Sequence, residues 1–137
     1  MNKEIKFEDI AVGSEIPTLV KKPVEKIQLV KYSGASGDFN PLHTIPEVGE
    51  AVGIGQIAHG MLIMGFVGQA ITDFVPKKYL KKFSVRFVGM TKPGDTVTVT
   101  GKVREKAAEG RKITCDVQAK NQKDQVLLAG FFEAVLP

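Results

Sequence analysis

Two histidines, His43 and His59, are this chain's only side chains whose ordinary pKa lies close to neutral pH. His43 follows Asp38 by five residues in the stretch Ser36-Gly37-Asp38-Phe39-Asn40-Pro41-Leu42-His43. Pro41 stiffens the chain between them, so a carboxylate and an imidazole can converge on one small volume. Such a pair can hold a water or an alcohol and move protons to and from it, which is general acid–base chemistry. His59-Gly60 opens a long apolar run. The first N–H groups of a helix starting there are free, and Gly60 has no side chain to obstruct approach. Aimed at a carbonyl oxygen, those donors would stabilise an enolate, helped by the helix dipole. An acid–base pair beside an enolate stabiliser fits addition or removal of water next to a carbonyl. The same residues also have a bland reading. An Asp-x-Asn-Pro turn can simply close a loop through Asx hydrogen bonds, and His59 can cap or pack the helix start. Spacing alone leaves both readings open.

The element that must position these groups runs from Ile57 to Phe74. From Met61 to Ile71 nearly every residue is apolar, and glycines stand at Gly60, Gly65 and Gly68. A helix apolar on all sides is expected to be buried on all sides, and this run is shorter than the ~20 residues a bilayer requires. A central helix wrapped by a sheet follows, with the glycines admitting close backbone approach. Upstream, Ile16 to Val20 reads as a first strand with Pro17 marking an edge. A helix is expected from Val24 to about Ser36, with Pro23 at its first position and Ile27, Val30 and Gly34 on one face. Gly34 and Gly37 end it. The loop from Ser36 to Gln56 carries Pro41 and Pro46, with a short helix expected over Pro46 to Val52. Long irregular connections of this kind are usually functional or disordered, and its buried-type residues Phe39, Leu42, Ile45 and Val48 argue for a shaped loop. Downstream, Phe83–Phe87, Val97–Val103 and Ile113–Ala119 alternate apolar and polar residues as strands do. Val126 to Leu136 is apolar on both faces, as suits a strand inside the sheet or at a subunit interface. Turns fall at Pro93-Gly94-Asp95, Glu109-Gly110-Arg111 and Asn121–Asp124. The layout is α+β, a curved antiparallel sheet around one long helix, in a single domain over residues 1–137.

Composition narrows the functional classes. The chain has 137 residues, 43% of them hydrophobic, and a net charge of +4, enough for a real core with a mild basic excess. Lys77-Lys78 and Lys81-Lys82 form either a solvated rim or a landing site for a phosphorylated arm. The single cysteine, Cys115, rules out an internal disulfide and reads as a core thiol. The N-terminal MNKEIKFEDI has no hydrophobic signal region, so a cytoplasmic protein is expected, with no membrane partner. Gly53-Ile54-Gly55-Gln56-Ile57-Ala58 matches a G-x-G-x-x-A fingerprint, with Asp73 twenty residues on. It lacks the preceding buried strand and βαβ unit that dinucleotide binding requires. No metal-ligand spacing and no interleaved basic and aromatic surface points to a metal site or to nucleic acid.

Tyr32 to His43, YSGASGDFNPLH, followed by Ile57 to Leu62, IAHGML, resembles the hydratase motif of the MaoC-like dehydratases, the (R)-specific enoyl-CoA hydratase group. Val85-Arg86-Phe87 and Lys92-Pro93-Gly94-Asp95 resemble the same family, so the likeness covers most of the chain. The resemblance implies a hot-dog fold paired into a homodimer or higher oligomer. It implies that Asp38 and His43 are the catalytic acid–base pair and that Gly60 offers its backbone N–H to a thioester oxygen. Asn40 would shape the loop, and Asn40 and His59 would lie among the substrate-binding residues. The implied reaction is reversible hydration of a trans-2-enoyl thioester to the (R)-3-hydroxyacyl thioester, on CoA or acyl carrier protein, with no further cofactor. Lys77, Lys78, Lys81 and Lys82 would then meet the phosphates of the carrier arm. Two positions depart from the family pattern: Ile45 stands where many relatives have an acid, and Gly68 where some carry a serine. A hot-dog thioesterase is the alternative, but the only carboxylate on the central helix is Asp73, near its far end. A second alternative is the acyl-binding subunit of a heterodimeric dehydratase, although this chain keeps the motif.

Overall fold

The computed structural model describes residues 4–137; Met1, Asn2 and Lys3, where the MNKEIKFEDI stretch begins, lie outside the described residues. The order is β1 (Leu19–Val20), α1 (Lys26–Ser36), α2 (Pro46–Ala51), α3 (Gly60–Phe74), β2 (Leu80–Phe87), β3 (Thr98–Ala107), β4 (Lys112–Lys120) and β5 (Val126–Val135). The five strands form one antiparallel sheet in the order β1-β3-β4-β5-β2. β5 lies between β4 and β2, which explains its apolar residues on both faces.

Alternation places Val99, Gly101 and Val103 on one face, and pairing carries that face across the sheet. Val103 pairs with Cys115, Cys115 with Phe132 and Phe132 with Phe83. Four residues along, Leu19, Val99, Ala119, Leu128 and Phe87 form a second row. These rows bear on α3, whose Leu62, Ile63, Phe66, Val67, Ala70 and Ile71 are buried. At the β2 edge the contacts are ring on glycine. A Cβ added at Gly68 would lie 3.8 Å from the Phe83 ring, and one at Gly60 would lie 3.1 Å from the Phe87 ring. Gly65 meets no such neighbour. The sequence expectation of burial on every side is therefore corrected: Met61, Gly65 and Gln69, spaced four apart, make an open stripe along α3.

α1 also departs from expectation. Glu25 caps it through a reciprocal capping box with Gln28, so Pro23 precedes the helix instead of opening it. Gly34 sits inside the helix, and Gly37, at φ +75°, ends it in the left-handed region open to glycine. The buried face is Leu29 and Ser33, whereas Ile27 and Val30 are more than half exposed. The first strand is shorter than read, because Pro17 interrupts pairing between the Glu15–Lys102 bridge and Leu19. Among the described residues, no helix is long and apolar enough to cross a membrane.

Candidate active site

The chain between α1 and α3 is held by its own side chains. Asp38 Oδ1 accepts the Asn40 N–H at 3.2 Å, and Asn40 Oδ1 accepts the Leu42 N–H at 3.0 Å. The second bond caps a single 3-10 turn, Pro41–His43, opened by proline. The Asx geometry that offered the bland reading is therefore present, and it also delivers His43 inward. The backbone of His43 is tied down by Gln56, whose Nε2 donates to the His43 carbonyl at 2.8 Å.

The His43 ring is buried, and its Nδ1 lies 2.9 Å from the Ile57 carbonyl oxygen. A carbonyl only accepts, so Nδ1 carries the proton and Nε2 is left bare in the neutral ring. Nε2 faces Asp38 Oδ2 at 3.6 Å, and that carboxylate is half exposed. This separation is too long for a direct hydrogen bond and suits two groups that share a third oxygen between them.

Gly60 is the first residue of α3, and among the described residues no side chain caps that helix. The Leu62 N–H turns back to the His59 carbonyl, which leaves the Gly60 and Met61 N–H groups as the open donors of the first turn. Gly60 and His43 line one cavity of about 200 Å³ with Ile63, Phe87, Met90 and Thr91. His43 and the bare helix start thus share a pocket, and Asp38 meets that pocket only through the Nε2 of His43 that it faces. Thr91 belongs there because its carbonyl accepts the Ala58 N–H at 2.7 Å, tying the approach to α3 to the segment after β2.

His59 is placed differently from its expected substrate contact. It is 1% exposed and stacks beneath His43, with ring centroids 3.8 Å apart, and it is not part of the cavity wall. Its Nε2 lies 3.0 Å from Ser33 Oγ, and its pKa is held below the usual imidazole range by burial and then by the neighbouring His43. Asp38, His43 and His59 bring ligating atoms within 4.8 Å of one another, a grouping that linear spacing did not disclose. Stacked imidazoles aim their in-plane lone pairs side by side, however, and a tetrahedral metal needs them to converge.

Lys77, Lys78, Lys81 and Lys82 follow the C-terminal end of α3. That helix has 15 residues, about 22 Å at 1.5 Å per residue, so within one chain they sit toward the end opposite Gly60. Asp73 lies at that far end too, in a surface groove with Phe74, Pro76 and Lys78. Gly53 and Gly55 occupy left-handed turn positions, and the element leading into them is the helix α2, not a strand. Ser33, Gln56, Thr91 and the Ile57 carbonyl were not singled out from sequence. Three act through the backbone or hold it, and the fourth is a serine among helix residues, so none has a motif signature.

A family model described as "MaoC like domain" matches residues 8–125. The (R)-specific enoyl-CoA hydratase of Rhodospirillum rubrum is 33% identical over 122 residues, covering 83% of both chains. Enoyl-CoA hydratase ChsH3 of Mycobacterium tuberculosis is also 33% identical, over 89% of this chain. The chain spans only 42% of that relative's length, and 31% of the peroxisomal enoyl-CoA hydratase 2 of Arabidopsis thaliana. The unliganded R-hydratase PhaJ1 of Pseudomonas aeruginosa superposes with a TM-score of 0.85 at 24% identity, covering 98% of this chain and 86% of its own. The (R)-hydratase of A. caviae also gives 0.85, at 23% identity over 95% of this chain and 99% of that one. Those likenesses establish the hot-dog fold. With the family model spanning most of its length, this chain belongs to the MaoC-like domain family.

Proposed function

We propose that this protein catalyses reversible hydration of trans-2-enoyl thioesters to (R)-3-hydroxyacyl thioesters, with Asp38 and His43 as its acid–base pair. The observation that carries this reading is the shared pocket: the His43 ring, facing Asp38 Oδ2 at 3.6 Å, opens on the same cavity as the first residue of α3. A thioester oxygen received by the Gly60 N–H would draw electron density from the conjugated double bond, leaving C3 electrophilic. Water held between Asp38 and His43 gives up a proton to one of them as its oxygen bonds to C3. The resulting enolate is stabilised at the helix start and takes a proton at C2 from the pair. The sum is one water added across the double bond, and the reverse path removes it.

A cavity of about 200 Å³ holds the reacting carbons and the thioester but not a whole acyl carrier. Phe87, Val88 and Met90, at the end of edge strand β2, are each more than half exposed. Apolar residues on an unpaired edge favour a second subunit there, and in a two-fold pair such edges run antiparallel. Each subunit's Lys81 and Lys82 would then be carried toward the other's Phe87, the arrangement in which these lysines could meet the phosphates of CoA or of a carrier-protein arm. The thioesterase reading has no comparable support, because Asp73 stands at the wrong end of α3.

Crotonyl-CoA is the test. Ultraviolet loss of the conjugated thioester without free thiol, and a product of R configuration, is expected. Thiol release in step with the absorbance loss would establish hydrolysis instead.

A further inference from the structure

His59 is buried more completely than either residue of the acid–base pair, yet it touches both. Four groups surround its ring. From α1 come Ser33, with Oγ 3.0 Å from Nε2, and the edge of Tyr32, with ring centroids 4.7 Å apart. From the catalytic loop come the Asp38 carbonyl oxygen, 3.3 Å from Nε2, and the face of His43 at 3.8 Å and 26°. Nδ1 is buried without a partner. These contacts select one protonation state. The Asp38 carbonyl can only accept, so Nε2 must hold the hydrogen for that contact to attract. The other tautomer would bury an orphaned N–H and set two lone pairs against each other, the costlier arrangement. A doubly protonated ring would place a positive charge in a buried site against His43.

We propose that His59 is a positioning residue for the acid–base pair: its Nε2–H ties the Asp38 carbonyl to Ser33 of α1, and its ring is the floor that sets the plane of His43. The inference rests on the hydratase reading above. Its physical content is that Asp38 sits on an exposed loop whose remaining anchors are bonds within that loop and to Ser36. The His59 link ties the Asp38 backbone to a packed helix. The two stacked rings carry opposite tautomers, Nδ1–H on His43 and Nε2–H on His59, so the bare Nε2 of His43 is kept on the Asp38 side.

The test uses the full chain and crotonyl-CoA. His59→Leu removes the donor and the flat ring; His59→Gln keeps an N–H the same number of bonds from the backbone as Nε2. Ångström-scale misplacement of a catalytic group costs on the order of 100-fold. The expected kcat is therefore about 100-fold lower in His59→Leu, within about 10-fold of wild type in His59→Gln, and intermediate in Ser33→Ala. KM should stay within about 3-fold, because His59 does not line the cavity. The second readout needs no variant to fold. With only two histidines in the chain, ¹⁵N spectra of the wild-type imidazoles resolve each ring. They should show His59 neutral and protonated on Nε2 at pH 8 and gaining its second proton only below the ordinary imidazole range, and neutral His43 protonated on Nδ1. A His59 that titrates in the ordinary imidazole range or carries its hydrogen on Nδ1 overturns the proposal. So does His59→Leu keeping wild-type kcat, or His59→Gln losing as much as His59→Leu. Asp38→Asn in the same assay separates the two levels: if it loses activity while His59→Leu does not, only the positioning role is lost. If Asp38→Asn is fully active, the hydratase reading fails and this inference with it.

Discussion

Gly60→Ala probes the helix start without removing any hydrogen-bonding atom. The new methyl would lie 3.1 Å from Cδ1 and Cε1 of Phe87 and 3.5 Å from its Cζ, closer than side chains ordinarily pack. Phe87 is 51% exposed, so its ring can give by the few tenths of an ångström required. That adjustment should cost less than the ~1–3 kcal/mol of overpacking a closed core. Replacing glycine in a helix returns up to about 1 kcal/mol. The two nearly cancel, and the melting temperature should stay within about 4 °C of wild type. Activity should not survive. The methyl protrudes into the cavity that Gly60 shares with His43 and holds a thioester oxygen away from the first-turn N–H groups. Losing one oxyanion donor typically costs 100- to 1,000-fold, so kcat/KM for crotonyl-CoA should fall at least ~100-fold. The assay is ultraviolet loss of the enoyl thioester, run beside a thermal melt. A variant that melts like wild type and hydrates within about 5-fold of it would mean that no carbonyl oxygen docks at the start of α3.

Gly130→Ala should fail for structural reasons, because its Cβ would fall 1.9 Å from the Ser84 carbonyl oxygen across the β5–β2 pairing. Backbone cannot yield as Phe87 can, so a loss of more than about 3 kcal/mol is expected in urea unfolding, and an unchanged midpoint would contradict the register. Stability should also fall on acidification through His59. Its folded pKa lies below the unfolded value of 6.5, so the unfolded chain binds the extra proton; this contribution is whole above pH 6.5 and is lost as pH drops below it. The slope from one such proton is at most about 1.4 kcal/mol per pH unit. His59→Gln should melt with a shallower pH dependence between pH 7 and 5.5, and an identical slope would contradict it. At the alkaline end, burial pushes the Cys115 thiol up to about 12 from 9.0, so its contribution is present below pH 9 and is lost as pH rises through 12. The folded protein should accordingly resist thiol reagents at pH 8, while fast labelling without unfolding would refute the burial.

What the sequence discloses and withholds follows from which interactions are local. Ile113, Cys115, Val117 and Ala119 are legible as one buried strand face because a strand's period is written in consecutive residues. The Asp38–Asn40–Pro41 turn is legible for the same reason. The start of α3 at Gly60 is legible from the His59-Gly60 step, but the contact that anchors it, the Ala58 N–H bonding to Thr91 thirty-three residues away, is not. The buried face of α1 was misjudged because hydropathy favours Ile27 and Val30 over Ser33, whereas burial of Ser33 is made tolerable by a partner on another element, His59. The role of His59 was hidden for the mirror reason. The open stripe on α3 could not be read either, since nothing within those fifteen residues says where the sheet stops.

The central claim is that Asp38 and His43 work on one shared oxygen. The direct measurement is a cycle of Asp38→Asn, His43→Gln and the double variant, comparing kcat for crotonyl-CoA hydration in folded proteins. Groups acting as a unit are grossly non-additive, so each single variant should lose at least ~100-fold and the double variant should be hardly slower than the worse single. Losses that multiply, or a single variant that keeps the wild-type rate, would contradict it.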